Sequence, residues 1–273
     1  TPHRYIGIRM SNISSTIKAY LNFVFELRVY LREHEAIEDT KTIIRQQLEN
    51  RETIFLNTLR SNVYAYPKSP YLPLLQAAGI SHADVVKMVA QHGLEGALEE
   101  LYEAGVYVTF EELKGREPIK RNGVELHVTA NDFDNPNLKP FIFGGSGGST
   151  GAPTRTKIDL DHVIQNGRSF RLAYDAYGTL GLPSVFWFGL LPIPIAYTST
   201  LYIARLGYTL NKWYTPMKTS TASPRWYYTL LSYLMVLIFR VYGYRFPFPE
   251  YVPLDDPLPI AQWIADTLQK QGQ

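Results

Sequence analysis

The sequence predicts an α/β fold, and three observations predict it. Apolar residues recur at helical spacing through the N-terminal third. Apolar runs then alternate with amphipathic stretches, the pattern of strands covered on both faces. Between Asp175 and Arg205 no residue is charged, and Gly181, Pro183, Gly189, Pro192 and Pro194 cut that run into pieces the size of buried strands and short helices. With 273 residues, 45% hydrophobic and 19% charged, the chain can bury a sizeable core and lacks the composition of a disordered one.

In chain order, residues 14–35 read as an amphipathic helix on Ile17, Leu21, Val24, Phe25, Leu27 and Leu31, capped by Ser14 or Ser15. Thr40 to Val63 reads as a second, with Ile43, Ile44, Leu48, Ile54, Phe55 and Leu59 as its packing face. Ser69-Pro70 opens a short helix that stops at Gly79. Ser81, with Asp84 three residues on, caps the next; Gly93 ends it, and Leu94 to Ala104 forms another before Gly105. Val106 to Phe110 is β-branched and aromatic, a strand or an extended lead into a turn at 111–115. Ile119 to Val128 reads as a hairpin turning on Asn122-Gly123, with His127 structural rather than a ligand. Asp132, Asp134, Asn135 and Asn137 lack EF-hand spacing and read as a polar turn. Phe141-Ile142-Phe143 reads as a strand. After residue 154 the chain alternates to Leu160, and Asp161 is expected to cap a helix from His162 to Tyr177. Tyr177-Gly178-Thr179-Leu180-Gly181 is a glycine bend, 251–259 a proline-rich loop, and 260–269 a final amphipathic helix.

Gly144 to Thr154 is the densest cluster of glycines and hydroxyls. Glycines let a backbone bend close to a ligand, and successive free N–H groups cradle an anion. The stretch therefore reads as a loop that wraps phosphates. It has no lysine, so it is not a Walker A loop, and Thr150 breaks the dinucleotide fingerprint begun by Gly145 and Gly147. G-x-S-x-G occurs around Ser146 and around Ser149, which leaves open an α/β serine hydrolase using either serine. Pro153 and the extended residues after it weigh against that, because such an elbow passes into a helix. Asp159, Asp161 and His162 lie too close in sequence for all to face one serine.

Ser146-Gly147-Gly148-Ser149-Thr150-Gly151-Ala152-Pro153-Thr154 resembles the [ST]-[ST]-G-[ST]-T-G-x-P-[TK] signature of the adenylate-forming, acyl-activating superfamily. The final Pro-Thr is similar to the phenylacetate–CoA ligase and acyl-protein synthetase branch. The resemblance covers roughly residues 60–273. It implies a helical N-terminal region, residues 1–66, and at 67–273 part of the large N-terminal domain of an adenylate-forming enzyme, a mixed sheet flanked by helices. It implies ATP and Mg²⁺ as cofactors, a small carboxylate as substrate, and coenzyme A or a carrier thiol as acceptor. By the same resemblance Ser146, Ser149 and Thr150 donate hydroxyls to phosphate, Gly147, Gly148 and Gly151 line the loop, and Thr154 fills its last position. Tyr177, Gly178, Phe186 and Trp187 fall where members line the acyl pocket. Gly147 departs from the pattern and removes a hydroxyl, and Ala152 stands where many members have Lys. The later Tyr-Gly-x-[Ser/Thr]-Glu and Thr-Gly-Asp motifs do not occur in the sequence, so the expectation is an N-terminal portion, inactive alone.

A net charge of +2 gives no electrostatic footprint for nucleic acid. The absence of cysteine excludes disulfides, thiolate metal sites and a Cys nucleophile within these residues. No metal site is expected from the residues themselves, and a cytoplasmic location fits. A non-catalytic, membrane-associated protein anchored by residues 180–239 is the remaining alternative, since Trp226 to Phe239 is a second charge-free run.

Overall fold

The computed structural model describes residues 27–32, 35–138, 142–145, 155–191, 194–205, 208, 210–218 and 226–271. Residues 14–26 of the first expected helix, Phe141, and 146–154 of the glycine-rich segment lie outside the described residues. The fold is mixed α/β. It divides into two compact units, one of Lys41–Ile158, the other of the described residues up to Thr40 together with those from Asp159 onward.

Residues 27–32 form helix α1, and α2 follows at Ile37–Glu49. After a break at Asn50 come α3 (Arg51–Leu59) and a π-helical turn (Arg60–Tyr64), so the helix expected over 40–63 is three pieces. Helix α4 (Tyr71–Ala77) stops at Gly79, where φ is +68°. Helix α5 (His82–Glu103) opens on the expected capping box: Ser81 Oγ accepts from Asp84 N, and the Asp84 carboxylate accepts from Ser81 N at 3.0 Å. Gly93 kinks it at φ +70°, the point where the sequence separates two helices. Val85, Val89, Ala97 and Leu101 from both sides of the kink join Leu75 in one core, and Phe55, Leu59 and Tyr64 pack on it. The Tyr64 hydroxyl donates to Ile80 O at 3.0 Å, so the chain on both sides of residue 66 shares that core.

Residues 106–109 lie outside regular structure and lead into α6 (Phe110–Leu113), capped reciprocally by Thr109 and Glu112. Strands β1 (Ile119–Arg121) and β2 (Val124–Leu126) form the expected hairpin. Its turn has φ +50° at Asn122 and +78° at Gly123, both positive as a type I′ turn requires. His127 beyond it is exposed. The polar turn is a single 3₁₀ turn (Ala130–Phe133), in which the Asp132 carboxylate accepts from Thr129 N at 2.7 Å. Strands β3 (Ile142–Gly145) and β4 (Arg155–Ile158) pair antiparallel, Ile142 opposite Ile158 and Gly145 opposite Arg155.

In the other unit, α7 (Leu160–Ala176) is capped by Asp159, whose carboxylate accepts from His162 N at 2.8 Å. This corrects the expectation of Asp161. Only Asp159 has the extended backbone (φ −112°, ψ 174°) of a capping residue, while Asp161 sits in the first turn, where its charge still favours the helix dipole. The helix ends in a Schellman motif: Thr179 N donates to Tyr174 O and Gly178 N to Asp175 O, with Gly178 at φ +63°. Strand β5 (Ser184–Trp187), helix α8 (Pro194–Arg205), strand β6 (Leu210–Thr215), helix α9 (Trp226–Val241) and strand β7 (Pro249–Tyr251) follow as a βαβαβ run. The three strands are parallel in the order β5-β6-β7. Helix α10 (Leu258–Gln271) closes the described chain. The described strands thus form one parallel sheet and two separate antiparallel pairs, where a single mixed sheet was expected. Leu190, Leu201, Leu210, Trp213, Val236, Phe239 and Phe246 fill the core around the parallel sheet. The two charge-free runs are thereby used as β5 with α8 and as α9. Among the described residues no helix is long and apolar enough to cross a membrane.

Candidate functional site

Two places are candidate sites, one in each unit. The first is the pair of strands that bracket the glycine-rich segment. Register puts Gly145 opposite Arg155, the residues on either side of 146–154. Lys157 of β4 pairs with Asp134 at 2.9 Å, which fixes the base of the hairpin to the preceding polar turn. The segment runs on into a strand, whereas a nucleophile elbow runs into a helix. Ser146, Gly147, Gly148, Ser149, Thr150, Gly151 and Thr154 lie outside the described residues. The nearby acid and base are engaged locally: Asp159 caps α7, and His162 Nε2 lies 2.9 Å from Asn166 Nδ2.

The second is a cavity of about 290 Å³. Tyr174 of α7, Leu182, Val185, Phe186 of β5, Ile203 of α8 and Tyr208 line it. No lining residue carries a charge, so the cavity suits a neutral body with hydroxyls at its edge. The Schellman stop positions it: the chain reverses at Gly178, bends again at Gly181 (φ +81°), and enters β5 at Ser184. Ser184 N donates to Asn211 Oδ1 of β6 at 2.9 Å, locking the start of one strand to the next. Ser184 Oγ is buried without a hydrogen-bond partner among the described residues.

The residues expected to form a pocket separate here. Phe186 lines the cavity. Trp187 is not among the lining residues, and its Nε1 donates to Val252 O at 3.2 Å. Tyr177 and Gly178 build the helix stop, and Tyr177 is 83% exposed. Tyr174, Leu182, Val185, Ile203 and Tyr208 were not singled out from the sequence. The glycine bend was the available signal for the first two; Ile203 and Tyr208 arrive through α8, which no local pattern announces. Among the described residues no cluster of His, Asp and Glu could hold a metal ion. Comparison with protein-family models, with curated proteins and with solved structures finds no significant match to this chain.

Proposed function

We propose that this chain is the N-terminal part of an ATP-dependent enzyme that activates a carboxylate as an acyl-adenylate and passes it to coenzyme A or another thiol. The observation that carries the reading is the signature-like segment 146–154 bracketed by a closed antiparallel pair, β3 and β4. A short connection between paired strands holds its ends fixed, which suits preorganised donors. In the reaction a carboxylate oxygen attacks the α-phosphorus of Mg-ATP, the bond to the bridging oxygen breaks, and pyrophosphate leaves. N–H groups at Gly147, Gly148 and Gly151 and hydroxyls of Ser146, Ser149 and Thr150 stabilise the charge that develops on the leaving group. Thr154 closes the segment. Mg²⁺ and ribose are held by groups of the complete enzyme, so these residues alone do not complete the reaction. A cytoplasmic location fits the supply of ATP and coenzyme A.

The test is carboxylate-dependent exchange of pyrophosphate into ATP, run on the protein encoded by the whole reading frame. Thr150→Ala is expected to slow exchange several-fold or more. Exchange unchanged in Thr150→Ala removes the segment from the mechanism, and no exchange with any carboxylate removes the reading. Labelling of Ser146 or Ser149 by a fluorophosphonate would favour a serine hydrolase instead.

A further inference from the structure

The face of α9 turned away from the core is apolar along its length. Trp226, Leu230, Leu234, Leu237 and Val241 recur every three or four residues, which puts them in one row, and each is half exposed or more. Tyr227 and Tyr233 flank the row, 43% and 38% exposed. On the opposite face Ser232, Met235, Val236 and Phe239 are buried. A continuous exposed row differs from singly scattered apolar residues and marks a surface that meets a second apolar phase.

Charge decides which phase that is. Between Asp175 and Glu250 the sequence has no acidic residue and six basic ones, so with +2 overall the rest of the chain is net negative. Of the six, Lys212 pairs with Glu250, and Arg205 donates to Tyr30 O. Arg240 in the last turn of α9 and Arg245 just beyond it are exposed. The Arg240 guanidinium lies 4.4 Å from the centre of the Phe248 ring, which in turn lies 4.9 Å from that of Tyr233. A cation is thus held on aromatic rings at the edge of the apolar row. A second copy of the chain would bring the same excess of positive charge to the contact, with no carboxylate of this stretch to meet it. An anionic lipid surface offers hydrocarbon to the row and phosphate to the arginines, and Trp and Tyr rings suit the headgroup level.

We propose that α9 seats its unit on the surface of an anionic lipid bilayer. The helix has 16 residues, about 24 Å in length, short of the roughly 30 Å hydrocarbon layer, so it lies in the plane of the interface. Leu230, Leu234, Leu237 and Val241 meet the acyl chains. Arg240 and Arg245 meet the lipid phosphates at the C-terminal end of the helix.

The test is flotation of the full chain with vesicles of phosphatidylcholine alone and of phosphatidylcholine mixed with phosphatidylserine. Binding to the mixed vesicles is expected to be tighter by about ten-fold or more, the scale for two cations near an anionic surface. Leu234→Gln with Leu237→Gln is expected to weaken it by about ten-fold or more, because two apolar side chains no longer enter the lipid. A second measurement does not depend on that variant's folding. The chain has no cysteine, so Val241→Cys, at a position 82% exposed, takes a single environment-sensitive dye. Its emission is expected to rise and shift to the blue with mixed vesicles. No flotation with mixed vesicles overturns the proposal, as does equal binding to both kinds. Binding undiminished in the double variant with unchanged dye emission overturns it too. Self-association that the double variant abolishes, with no vesicle binding, overturns it in favour of a contact between copies.

Discussion

Glu112 is a residue on which one unit closes. Its carboxylate caps α6 by accepting from Thr109 N at 2.8 Å, and accepts from Arg121 Nη2 at 2.7 and 2.8 Å. The two side chains are only 9% and 10% exposed, and the Arg121 guanidinium lies 3.8 Å from the Tyr107 ring centre. Burial alone pushes the Glu112 carboxyl up; the hydrogen bonds from Arg121 and Thr109, with the guanidinium charge, more than offset that and hold it below its ordinary value. Folding therefore favours the ionised form. Its contribution is fully present above the unfolded value of about 4.3 and is lost as pH falls through the folded one. Glu112→Gln is expected to cost about 1–3 kcal/mol near neutral pH. The gap between variant and wild type should shrink towards pH 3, read as urea midpoints across the range. A gap that does not change with pH would show that the charge is not what matters.

Between elements, α7 meets α8 at Gly167. A Cβ there would come 3.0 Å from Tyr202 Cβ, close to the backbone of α8 and unable to swing away, while Phe170 stacks on the Tyr202 ring at 4.8 Å. Gly167→Val is expected to destabilise by about 1–3 kcal/mol, measured by chemical denaturation. An unchanged midpoint would mean that the two helices are free to move apart. Element ends were the most legible part of the fold. Ser81 with Asp84, Gly79, Gly93, Gly105, Asn122-Gly123 and Gly178 each carry a local backbone requirement, and each marks a cap, kink or turn. Asp159 and Asp161 show the limit: both are capping residue types two positions apart, and backbone angles decide between them. Pairing is less legible still. Nothing near Glu35 points to Arg168, 133 residues away, because that contact exists only once α7 is placed. The cavity beside Phe186 was half legible for the same reason: its walls from 182–186 follow a visible bend, and those from Ile203 and Tyr208 do not.

On the scale of the whole molecule, α9 is apolar all round. Met235, Val236 and Phe239 are buried, while Trp226, Leu230, Leu234, Leu237 and Val241 are exposed. The first set belongs to the core; each residue of the second is half exposed or more. Leu234 and Leu237, each about half exposed, are therefore expected to tolerate replacement by Lys with little change in melting temperature. The double variant should also lower self-association, measured by light scattering against concentration. A large loss of stability would show that this face is packed in solution. The division of the chain has a further consequence, for its birth on the ribosome. Residues 41–158 are continuous and close on themselves, whereas α1 bonds to α8, as through Tyr30 Oη to Leu201 O at 3.1 Å. At about 5–20 residues per second, α1 waits many seconds after leaving the ribosome before its partner helices exist. The unit begun first in sequence is thus completed last, and during that interval Leu27 and Leu31 are among the apolar side chains a nascent-chain chaperone would meet.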